Sequence, residues 1–142
     1  MVELFEQNER RNDRQSSKGN QLKWEKDGIW YKADYTGYEG LAEYIVSHLL
    51  QKSTLKQQEF VLYDLEEIRY KTAMYTGVQS IDLSEELYGN NIKFYFTKND
   101  VTELLEHATQ YSQEIRNRVQ DIIFCQMDKY QYLFRKIGES SC

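Results

Sequence analysis

Apolar positions in the last third of the chain step by three or four: Val101, Leu104, Leu105, Ala108, Tyr111, Ile115, Val119, Ile122, Ile123, Met127, Tyr130, Phe134 and Ile137. This spacing predicts one very long helix or two, interrupted near Gln110 to Gln113. Asn99 or Asp100 can cap its start and Gly138 marks its end. A second helical period runs through Tyr38, Leu41, Ala42, Ile45, Leu49 and Leu50 to about Lys52. Thr36-Gly37-Tyr38-Glu39 ahead of it fits a capping box, with Thr36 as N-cap and Glu39 at the third helical position. Glu39 and Glu43 lie four apart, on one flank of that helix.

Elsewhere the period shortens to two. Leu22 and Trp24 alternate, Asp27-Gly28 follows, and Ile29, Trp30 and Tyr31 come next. Asp-Gly between such runs predicts a two-residue hairpin, because both positions tolerate positive φ. In that register Trp24 faces Tyr31, Leu22 faces Ala33 and Lys23 faces Lys32, with Trp30 and Lys32 on the opposite side of the strand from Tyr31. Glu59 to Asp64, Ile68 to Gln79 (bent at Thr76-Gly77) and Ile92 to Phe96 also read as strands or hairpins. Ser84 to Tyr88 suggests one helical turn before Gly89-Asn90-Asn91. Val2, Leu4 and Phe5 suit one short strand, whereas Glu9 to Asn20 has no apolar residue and reads as an arm. The expected fold class is α+β: an antiparallel sheet of four or five strands with the 37–52 helix on one face. The chain divides into an N-terminal arm over 1–20, sheet plus helix over 21–97 and a helical part over 98–138.

Composition narrows the function. With 142 residues, 40% hydrophobic and 29% charged, one globular domain is the expectation. The chain has 12 Tyr and no Pro, which suits strands and half-wet surfaces. A net charge of −5 argues against general nucleic-acid binding, which needs a basic footprint. No apolar run reaches the length of a membrane span. Cys125 and Cys142 are the only cysteines, and a cytoplasmic protein with reduced thiols is expected, with Cys125 in the core. His48 and His107 stand alone, so no metal site is expected. Glu66-Glu67 and Glu85-Glu86 are adjacent pairs whose side chains diverge into solvent.

The chemistry concentrates between Gly28 and Leu50, where a lysine on a strand precedes glutamates on the next helix. Trp30-Tyr31-Lys32-Ala33-Asp34 and Gly37-Tyr38-Glu39-Gly40-Leu41-Ala42-Glu43-Tyr44, with a weaker echo in Tyr75-x-Gly77-x-x-Ser80, resemble the small lobe of HipA-like serine/threonine kinases of the CtkA type. The likeness spans roughly residues 15 to 85. It implies that Lys32 contacts ATP phosphates, that Glu43 positions it with Glu39 as competitor, and that Ser17, Lys18, Gly19 and Asn20 lie in the nucleotide-covering loop. Such kinases also need a large lobe with a catalytic Asp, a downstream Asn and a Mg²⁺-binding Asp. After Phe96 only Asp100, Asp121 and Asp128 occur, and none begins an Asp-x-x-x-x-Asn segment. No catalytic residue is therefore assigned, and Mg²⁺ is not expected without a large lobe. The resemblance implies a nucleotide-binding protein that is inactive alone, a truncated kinase or one part of a split one, with a separate lobe as partner. The alternative is an acidic interaction module, inhibitor or antitoxin-like, that dimerises or binds a target through its C-terminal helix.

Overall fold

The computed structural model describes residues 1–10, 22–35, 37–81 and 93–129. Its strands are β1 (Val2–Leu4), β2 (Glu9–Arg10), β3 (Lys23–Lys26), β4 (Ile29–Ala33), β5 (Asp64–Tyr70) and β6 (Ala73–Ser80). Its helices are α1 (Glu39–Leu50), α2 (Lys98–Glu106) and α3 (Gln113–Lys129). The class is α+β. All six strands form one sheet in the order β1-β5-β6-β4-β3-β2.

The β3–β4 hairpin has the register expected from Asp27-Gly28: Lys23 opposes Lys32 and Trp24 opposes Tyr31. Both turn residues have positive φ, 54° at Asp27 and 82° at Gly28, which matches the twist of the flanking strands. Ala33 N–H closes the far end on Leu22 O at 3.0 Å.

The short strand expected near Val2 to Phe5 forms as β1, and Glu9–Arg10, expected in an arm, forms β2, so residues 1–10 supply both edges of the sheet. β1 runs parallel to β5, and β2 pairs antiparallel with β3. The sheet is therefore mixed and has one strand more than the largest number expected. The two edges are joined by Phe5–Asn8, so the sheet must curl to bring them together. Tyr70 Oη donates to Glu9 Oε2 at 2.7 Å across that closure. Lys26 Nζ donates to Glu3 O at 3.4 Å. Inside the curl lie Leu4, Trp24, Tyr31, Ala33, Ile68 and Tyr70. Trp24 is fully buried, edge-on to Tyr70 at 5.1 Å between ring centroids.

The other face of the sheet carries α1. Leu41, Tyr44, Ile45 and Leu49 of α1 join Tyr63 and Val78 on the sheet side, and Val101, Leu105, Tyr111, Val119 and Ile123 on the other. The C-terminal apolar stripe is split into α2 and α3, as the polar interval near Gln110 suggested. Thr97 starts α2 with a capping box: Asp100 N–H donates to Thr97 Oγ1 at 3.2 Å, and Thr97 N–H to Asp100 Oδ2 at 2.7 Å. Arg116 folds back from α3 to donate to Tyr111 O and Leu105 O, satisfying carbonyls at the break.

Several boundaries differ from the sequence reading. Glu59 to Asp64 is not a strand; a 3-10 turn occupies Gln57–Glu59 and β5 begins at Asp64. Tyr63 cannot join the ladder, because its N–H donates to Ser47 Oγ at 3.0 Å and its C=O faces His48 Nε2 at 3.1 Å. The β5–β6 hairpin turns at Lys71, which has φ 56°, rather than at Thr76-Gly77. Among the described residues, the expected strand ending at Phe96 is reduced to a single bridge between Ser53 and Phe94. Helix α1 begins at Glu39 with Tyr38 as N-cap, so Glu39 is its first residue rather than its third; Thr36 lies outside the described residues. The turns expected at 84–91 and the stop at Gly138 also lie outside them. Cys125 is half-buried and disulfide-bonded, not a free core thiol.

Gly77 marks where β6 lies closest to its neighbour β4. A Cβ there would come within 2.0 Å of Lys32 O, a backbone atom that cannot move aside. Gly77→Ala should therefore destabilise the fold by about 3 kcal/mol or more, read as a lower urea midpoint at unchanged slope. A loss below about 1 kcal/mol would show that β4 and β6 are not held this tightly.

Candidate functional site

Lys32 lies in the middle of the sheet, in a cross-strand row with Lys23 on one side and Val78 and Leu65 on the other. Residues directly opposed in antiparallel strands share a face, so this row looks toward α1. One turn into α1, Glu43 meets it: Lys32 Nζ donates to Glu43 Oε2 at 2.8 Å. The same ammonium donates to Tyr63 Oη at 3.2 Å and lies 4.8 Å from that ring's centroid. The side chains are only 12% and 24% exposed for Lys32 and Glu43. Burial by itself lowers the Lys32 pKa, but the Glu43 carboxylate and the Tyr63 hydroxyl outweigh it and hold the lysine above its ordinary value.

Polar contacts along α1 fix Glu43 in place. At the helix start, the Glu39 carboxylate accepts N–H bonds from Tyr35, Gly37 and Tyr38 at 2.9, 3.0 and 3.1 Å. Glu39 is thus taken up in capping, and Lys32 pairs with Glu43. Asp34 also reaches this helix end. Its Oδ1 accepts from Gly40 N–H at 2.5 Å, and its Oδ2 accepts from Thr76 Oγ1 at 2.5 Å and Tyr111 Oη at 2.7 Å. Carboxylates here also face the positive end of the helix dipole. Farther along, Ser47 and His48 grip the backbone of Tyr63 and seat its phenol beside Lys32.

Asp34 and Tyr111 couple the helical pair to the sheet. Burial pushes the Asp34 carboxyl above its ordinary value, against the bonds from Thr76, Tyr111 and Gly40 that favour the charged form. Burial, together with the charge of Asp34, pushes the Tyr111 hydroxyl well above its ordinary range. Tyr111 therefore keeps its proton and donates it. Neither residue carried a role in the sequence reading; their pairing joins positions 77 apart and leaves no local pattern.

Of the sequence-predicted site residues, Lys32 and Glu43 come together. Ser17, Lys18, Gly19 and Asn20 lie outside the described residues. Lys23 begins β3 directly opposite Lys32; the hairpin register already placed it there. Tyr63 joins the site although it was expected only as part of a strand. Among the described residues, no group of three or more His, Cys, Asp or Glu is placed to hold a metal ion. No helix among them is long and apolar enough to cross a membrane. Comparisons with protein-family models, curated proteins and solved structures find no match to this chain.

Breaking a buried ion pair on one side strands the other charge, at a cost of 3–5 kcal/mol when burial is complete. With the residual exposure here, Lys32→Met or Glu43→Gln should each cost about 2 kcal/mol in urea unfolding. The double variant should lose much less than the sum; additive losses would show that the pair is not coupled. Because the folded chain holds the Lys32 proton above its ordinary value of 10.5, the stability due to that proton is whole below pH 10.5. It fades as pH rises through the folded value.

Tyr111→Phe removes one hydrogen bond to a carboxylate and should cost about 1.5–3 kcal/mol at pH 7. The cost should shrink in acid, where Asp34 takes up a proton and accepts less strongly. Since the folded Asp34 binds its proton more readily than its ordinary value of 3.8 implies, its contribution is greatest below that pH and declines as pH rises through the folded value. Urea titrations of both proteins between pH 3 and 7 check this; a pH-independent difference would sink it.

Proposed function

We propose that this chain is a nucleotide-binding module of the protein-kinase small-lobe type that works with catalytic groups supplied by a partner. The observation that carries this reading is the 2.8 Å pair between Lys32 Nζ on β4 and Glu43 Oε2 on the helix that follows. In protein kinases a strand lysine held by a glutamate of the next helix pairs the nucleotide phosphates. The order of elements supports it: a hairpin delivers the lysine, α1 delivers the glutamate, and β6 of the following hairpin pairs with the lysine strand. The segment expected to cover the nucleotide lies in sequence between β2 and β3, and β3 is the strand that pairs with the lysine strand.

The residues have separable tasks. Lys32 presents fixed positive charge to phosphate oxygens, with little reorganisation left to do on binding. Glu43 and Tyr63 hold that ammonium in place and keep it protonated. Phosphoryl transfer further requires a positioned base and metal-holding carboxylates. The sequence after β6 has no Asp-x-x-x-x-Asn segment to supply them, so the reading assigns this chain binding and positioning and gives the chemistry to the partner. The alternative, an interaction module acting through its C-terminal helix, is less favoured, because Val101, Leu105, Val119 and Ile123 of that stripe are spent on α1.

ATP with Mg²⁺ at ten times its dissociation constant should stabilise the chain by about 1.4 kcal/mol, a rise of roughly 3–8 °C in Tm. Lys32→Met should abolish the shift. No stabilisation of the wild-type chain at millimolar ATP would overturn the reading.

A further inference from the structure

Lys32 is not the only ammonium on this face. Lys23 opposes it directly in the β3–β4 ladder, and such pairs place Cβ atoms about 4.5–5.5 Å apart on the same side of the sheet. Two like charges so placed repel and destabilise the hairpin. Lys32 is compensated by Glu43. Lys23 has no hydrogen-bond or ion-pair partner among the described residues, although it is half-buried. The next cation in the row, Arg10, is turned away: its guanidinium donates to Gln7 O and Glu9 O and lies 3.7 Å from Glu25 Oε1.

Among the described residues, the row thus holds two ammonium groups against one nearby carboxylate. Burial and the charge of Lys32 lower the Lys23 pKa, and Glu43 offsets this only in part. Among the described residues nothing neutralises Lys23, and its half-buried stem holds its charge next to that of Lys32. An arrangement that costs stability and leaves positive charge uncompensated beside the phosphate-facing lysine is complementary to an anion carrying more than one negative group.

Building on the nucleotide reading above, we infer that Lys23 is a second phosphate-contacting residue. Lys23 and Lys32 together grip two neighbouring phosphates, so the site selects nucleoside di- and triphosphates over monophosphates. Lys32, held by Glu43, takes one phosphate, and Lys23, free to move on its stem, takes the next.

Isothermal titration of the full chain with ATP, ADP, AMP and inorganic tripolyphosphate tests this, using wild type, Lys23→Gln, Lys23→Arg and Lys32→Met. The wild type should bind ATP and ADP at least tenfold more tightly than AMP. Lys23→Gln should lose about tenfold for ATP and ADP and leave AMP unchanged, while Lys23→Arg keeps wild-type affinity. Lys23→Gln should melt no lower than wild type, since it removes a repulsion, and this separates lost binding from lost folding. If Lys23→Gln binds ATP like wild type while Lys32→Met does not, the Lys23 inference fails and the Lys32 reading stands. If no protein binds any of the four ligands, both fail. Tripolyphosphate binding as tightly as ATP would uphold the paired lysines and overturn the selection for a nucleoside.

Discussion

The close seating of α1 on the sheet is the constraint from which the rest of the structure follows. At Gly40 a Cβ would come within 2.7 Å of Asp34 Oδ1 and 3.2 Å of the Gly77 carbonyl carbon. At Gly77 the β4 backbone leaves no room for a side chain at all. Gly77 thus lets β6 approach β4, while Gly40 lets the helix backbone approach the strand closely. That approach brings a mid-helix carboxylate within hydrogen-bond distance of a mid-strand ammonium. A helix standing a side chain farther out would leave Lys32 and Glu43 to water, where such a pair contributes little.

Around that contact the polar groups form a graded series along the helix. Its start is fixed by backbone N–H groups meeting Asp34 and Glu39, its middle by Lys32, and its later turns by the backbone of Tyr63. The helical pair reaches the same series through Tyr111, whose hydroxyl ends on Asp34. The C-terminal third is consequently not an appendage. It sets the position of the helix that holds Lys32, and a rearrangement at Tyr111 would be felt at Glu43 through one rigid element. Positive charge on one row of the sheet and acidic charge over the molecule as a whole coexist, because Lys23 and Lys32 oppose each other on that row.

Local signals made part of this legible. Asp27-Gly28 specifies a turn whose twist leaves one register open, so the facing pairs of Trp24 with Tyr31 and Lys23 with Lys32 follow from the sequence alone. The helical periods were equally plain, down to the break between α2 and α3. What failed was non-local. Phe60 to Asp64 has a strand's composition, but side chains of α1 intercept the backbone of Tyr63. Gly77 reads as a bend, while its actual task is to let β4 and β6 approach. Glu9 and Arg10 have no apolar residue to announce a strand; they pair because the curl of the sheet brings β3 to them. Asp34 and Tyr111 are ordinary residues until the fold places them together.

The closure at the N-terminus also bears on how the chain reaches this state. β1 and β2 are made first, yet β1 has no partner until β5 exists, and Glu9 waits for a tyrosine 61 residues away. Contacts of such sequence separation form late and slow the search. During synthesis the two short strands therefore emerge without a sheet edge for β1 to join, and their few apolar side chains keep them soluble meanwhile. The polar character that makes Glu9 and Arg10 look like part of an arm is what allows that edge to wait and then fasten the curled sheet last.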